Sequence, residues 1–232
     1  MPPGRVFLIG DDHAELSDLR DRLSRVHPDL RVTVVAGRGP DFLEKAWQSL
    51  RADAGPDDVI VLDVNWGRDA PTGGCDLLHR LRLEGCPQPV FLRTAYLRSD
   101  GSLTESVASL LPRDLGYSLW SGIEALGPPW PSPLDGAELG KAREAALRVR
   151  RRDAAAAGAV LDAIWRLVKP AAYGGNASWE EAVNLARGLP GPGSDEVVAA
   201  LTDRDLARVR EALVAYEEGQ EKGGSRCETR LP

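Results

Sequence analysis

The stretch VIVLDVN, residues 59–65, decides the fold of this 232-residue chain. Val59, Ile60, Val61 and Leu62 form an apolar run rich in β-branched residues, which reads as a strand buried on both faces. Asp63 closes it. Working outward, the run Val6-Phe7-Leu8-Ile9 is followed in the same way by Asp11 and Asp12. Strands separated by helical stretches read as a parallel sheet, and such sheets hold their ligands at the carboxyl ends of the strands. Three carboxylates at those ends converge on one acidic pocket. Like charges so close repel and need a cation or a shared proton. Hard oxygen donors favour magnesium, so Asp11, Asp12 and Asp63 are candidate Mg2+ ligands, with the backbone carbonyl of Asn65 as a further oxygen.

A third apolar run, Pro89-Val90-Phe91-Leu92, leads to Thr94 and Ala95. The pattern around these runs predicts strands at 5–10 and 31–36, and helices at about 13–26 and 41–52. Leu16, Leu19, Leu23 and Val26 line the first helix, and Phe42, Leu43, Ala46 and Leu50 face inward from the second. Helices at about 75–84 and 102–111 follow, with a fifth strand across 115–120 and a short helix at 121–126. The expectation is an α/β domain of flavodoxin-like type with a parallel five-stranded sheet, followed by a smaller all-α domain.

The ordered segments FLIGDDHAELSDLRDRL, VIVLDVN, GGCDLLHRLR and FLRTAY resemble the receiver domain of bacterial response regulators. The likeness covers roughly residues 4–126. It implies that Asp63 is the phosphoacceptor and that Asp11, Asp12, Asp63 and Asn65 hold magnesium. Thr94 would hydrogen-bond the phosphoryl oxygen, and Tyr117 would be the aromatic residue that changes rotamer. A sensor histidine kinase or a small phosphodonor is the implied upstream partner. In-line attack on phosphorus needs this combination of carboxylate, bridging cation and donors.

Two departures accompany the likeness. Receivers carry a lysine at the end of the fifth strand, whereas the only lysines here are Lys45, Lys141, Lys169 and Lys222. Trp120 falls at that position if Tyr117 is the aromatic, and tryptophan carries no charge for a phosphoryl group. Arg113 is a candidate replacement, although an arginine fork is not equivalent to a lysine point charge. In addition, WGRDAPTGG (66–74) lengthens the loop after Asp63 and places Trp66 beside the pocket. Adjacent aspartates after a strand also read as simple helix N-caps, and Thr94 as an ordinary strand-end hydroxyl.

The Pro-rich stretch at 128–134 reads as a stiff linker, dividing a domain at 1–127 from a helical one at 135–219. A polar tail at 220–232 reads as disordered. The second half shows helical periodicity only. It begins with a long helix at 137–168, whose apolar end (Val160, Leu161, Ile164, Trp165) looks exposed and suits homodimerisation or partner docking. Ser178 with Glu181 reads as a capping box, Ser194 as a cap, and Thr202 as the start of a last helix.

The net charge of −6 and the absence of a compensating basic half argue against nucleic acid, despite the run Arg148-Val149-Arg150-Arg151-Arg152. ASWEEAVNLARGL resembles the second helix of RNA-binding antitermination modules, without the rest of that pattern. The three cysteines lack metal-ligand spacing and, with no signal peptide, suit a reducing cytoplasm. No stretch is long enough to span a membrane. A phosphatase of the haloacid-dehalogenase type would want an acid where Asn65 stands. Two readings remain: a non-enzymatic signalling switch phosphorylated on Asp63, and a phosphorylation-independent receiver-like adaptor acting through protein partners.

Overall fold

The structure, a computed structural model, describes residues 4–39, 41–67, 70, 72–126, 131–189 and 193–225, with side chains described to residue 219. The chain divides into two compact units, Met1–Leu147 and Arg148–Pro232.

In the first unit, β1 (Arg5–Gly10), β2 (Arg31–Ala36), β3 (Val59–Asp63), β4 (Val90–Arg93) and β5 (Tyr117–Leu119) form one parallel sheet in the order β2-β1-β3-β4-β5. That order reverses between β1 and β3, the switch point of a flavodoxin-like sheet, and opens a crevice at the carboxyl ends there. The apolar runs read in the sequence are the central strands, and every residue from Val6 to Ile9 and from Val59 to Leu62 is fully buried.

Alternation along the strands divides these residues between two cores. Val6, Leu8, Val59 and Val61 pack with Leu16, Leu19 and Leu23 of α1 (His13–Val26), and with Ile123 and Leu126 of a 3-10 turn. Phe7, Ile9, Ile60 and Leu62 alternate with these and point to the opposite face. Buried residues of α2 (Phe42–Asp53) and α3 (Gly73–Leu83) complete the unit's apolar interior, with α4 (Glu105–Leu110) after β4.

Several local expectations change. Val26, the last residue of α1, is 59% exposed rather than inward, whereas Trp47 is buried alongside Ala46 and Leu50. Gly73 and Gly74 begin α3 instead of belonging to the preceding loop. A Cβ on Gly74 would lie 2.1 Å from the Asp63 carbonyl oxygen, so only glycine lets α3 start this close to the end of β3. The extra length after Thr94 is a small excursion closed by an antiparallel bridge between Leu97 and Leu103.

Arg82 is the one charged side chain of α3 that is wholly buried. Its guanidinium donates to the carbonyls of Leu115 (2.8 Å), Cys86 (2.6 Å), Gln88 (3.1 Å) and Gly116 (2.7 Å). Burial lowers its pKa to about 10, so it remains charged at neutral pH.

The long helix α5 runs over Gly136–Val168. Asp135 and Glu138 form a reciprocal capping box at its start. The Glu138 amide donates to Asp135 Oδ1 at 2.8 Å, and the Asp135 amide to Glu138 Oε2 at 3.0 Å. Residues 127–130, which include the first three of the proline-rich stretch at 128–134, lie outside the described residues.

The second unit has its own core. Leu161, Ile164 and Val168 of α5 are buried with residues of α6 (Trp179–Ala186), α7 (Ser194–Thr202) and α8 (Leu206–Ser225). The apolar end of α5 is therefore covered within the unit, and the expectation that it stands exposed does not hold. The small residues Ala182 and Ala186 of α6 and Ala200 of α7 are buried in the same core.

Caps also differ from expectation. Ser178 makes no capping hydrogen bond, Gly193 occupies the cap position of α7 instead of Ser194, and Thr202 ends α7. Asp205 caps α8, accepting from the amides of Ala207 (3.0 Å) and Arg208 (3.1 Å). The helix continues to Ser225, and residues 226–232 lie outside the described residues. No described helix is long and apolar enough to cross a membrane.

Candidate functional site

The strand order places the ends of β1, β3 and β4 side by side, and a pocket of about 460 Å³ opens there. Its wall includes Asp11, Asp63, Asn65, Thr94 and Trp120, all singled out in the sequence, together with Glu15 and Arg93, which were not. Asp12 and Tyr117 are not part of the wall.

Asp63 stands at the end of β3, directly over Gly10, where a Cβ would lie 2.2 Å from its Oδ2. Arg93 ends β4 and is its register partner. Arg93 Nε lies 3.3 Å from Asp63 Oδ1, and Arg93 Nη2 pairs with Glu15 of α1. Nη1 of the same guanidinium is buried with no hydrogen-bond acceptor. Both charges of the Asp63–Arg93 pair are largely removed from water, with 14% and 16% of their side chains exposed. Burial pushes the Asp63 carboxyl up to about 6, helped by the charges of Glu15, Asp11 and Asp12, and Arg93 only partly offsets this.

Asp11 meets a second arginine. Arg38 Nε donates to its backbone carbonyl at 3.3 Å and lies 3.6 Å from its Oδ2. Asp12 does other work: its Oδ1 accepts from the amides of Ala14 (2.9 Å) and Glu15 (3.0 Å), capping α1. Those amides, Glu15 first, hold its pKa below the usual carboxylate value. Of the two readings of the Asp11-Asp12 pair, Asp12 follows the cap.

Asn65 is held by its side chain on both sides. Its Oδ1 accepts from the Gly67 amide at 2.8 Å, and its Nδ2 donates to Tyr96 Oη at 3.1 Å. Thr94 Oγ1 accepts from the Tyr96 amide at 3.0 Å, leaving the hydroxyl proton available to the pocket. Tyr117 opens β5, and its hydroxyl donates to the Leu111 carbonyl at 2.8 Å. It shares a separate cleft with Arg113, so neither reaches Asp63. Trp66, expected beside the pocket, is buried beneath Gly73 and packs edge-on against Phe42 at 4.7 Å.

A resident magnesium ion needs several hard oxygens free to converge on it. Here Asp12 is engaged as a cap and Asp63 already faces a guanidinium. Among the described residues, no three His, Cys, Asp or Glu side chains come together to hold a metal. As placed, Asp12 Oδ1 serves the cap and Asp63 faces Arg93.

Comparison with protein-family models and with curated proteins finds no match for this chain.

Proposed function

We propose that the α/β unit is a receiver-like module that works as a phosphorylation-independent adaptor, docking protein partners without a reaction of its own. The observation that carries this reading is Arg93. Its guanidinium sits against Asp63 where a metal-dependent phosphoacceptor would need its carboxylate open to the cation. Arg38 beside Asp11 acts in the same sense. Trp120 in the pocket wall offers no positive charge for a phosphoryl group. Arg93 thus does permanently what a bound cation would do reversibly.

A second reading keeps Asp63 as phosphoacceptor, with Arg93 in place of the lysine and a sensor histidine kinase upstream. The buried Nη1 without an acceptor favours it, since a phosphoryl oxygen on Asp63 is the kind of acceptor it lacks.

One experiment separates the two readings. The protein is incubated with magnesium and acetyl phosphate and its intact mass is measured, with Asp63→Asn as control. The adaptor reading expects no adduct. A single phosphoryl group that is absent from Asp63→Asn overturns it in favour of the switch.

A further inference from the structure

We draw no further inference here: the strongest candidate, the apolar cleft of about 540 Å³ between α4 and β5 lined by Leu103, Ala108, Leu111, Pro112, Tyr117 and Leu119, carries nothing because nothing in the structure shows what covers it.

Discussion

Asp63 and Arg93 are register partners across β3 and β4, with 3.3 Å between Asp63 Oδ1 and Arg93 Nε. Removing the arginine leaves a mostly buried carboxylate without its cation. Arg93→Met is expected to cost about 1–3 kcal/mol at pH 7.5, reduced from a fully buried pair by the open pocket. The cost should shrink near pH 5, where Asp63 takes up a proton, as urea denaturation at the two pH values would measure. On the adaptor reading, the same variant should also gain magnesium affinity that the parent protein lacks, measurable by calorimetry.

Replacing the carboxyl itself should act in the opposite direction. Asp63 has a folded pKa of about 6 against an ordinary value of 3.8, so the folded state binds its proton more tightly than the unfolded chain. The protein therefore gains stability as pH falls from 7 towards 4 and loses it as pH rises through 6. Asp63→Asn removes that penalty. A gain of about 1–3 kcal/mol is expected at pH 8, vanishing near pH 4. An unchanged difference across that range would mean that the carboxyl is not strained by burial.

Asp12 offers a test of capping against ligation. Asp12→Ala should lower the thermal midpoint by removing the acceptor for the Ala14 and Glu15 amides. Asp12→Ser, which keeps a capping oxygen and removes the carboxylate, should restore it. Failure of serine to rescue would point to a role for the charge itself.

Arg82→Met keeps the length of the side chain and removes every donor. Four carbonyls lose their partner inside the protein, and a loss of about 3–5 kcal/mol is expected in chemical denaturation. A loss under about 1 kcal/mol would show that water replaces the guanidinium at those carbonyls.

In the helical unit, Arg204 follows α7 with φ at 54°, a left-handed conformation that glycine adopts without strain. Its amide and that of Asp205 return to the carbonyls of Leu201 (3.2 Å) and Ala200 (3.4 Å), closing the helix end. Arg204→Gly should therefore stabilise the protein by up to about 1 kcal/mol, read as a higher denaturation midpoint.

The central strands and α1 were legible because continuous apolar runs and helical periodicity leave few alternatives. Val6–Ile9 and Val59–Leu62 are buried as read, and α1 spans the expected residues. Asp11, Asp63, Asn65, Thr94 and Trp120 were legible as neighbours because a parallel sheet brings strand ends together. Arg93 was passed over, although a signal existed: two adjacent apolar runs end in residues of opposite charge. Only the register, pairing Asp63 with Arg93, makes that meaningful. Tyr96 was hidden for a different reason, since its contact with Asn65 depends on the course of the excursion through Leu97 and Leu103. Helix ends in the second half were misread because several serines, threonines and aspartates compete as caps, and geometry selects among them.

The acceptors of Arg82 have a consequence for the birth of the chain. Cys86, Gln88, Leu115 and Gly116 all come later in the sequence than the arginine that binds them. Until residue 116 has left the ribosome, burying α3 would strand a guanidinium with its ligands incomplete, which is costly. The first four strands therefore cannot settle into their finished arrangement as they emerge, and synthesis of the fifth is the event that lets the nascent domain close.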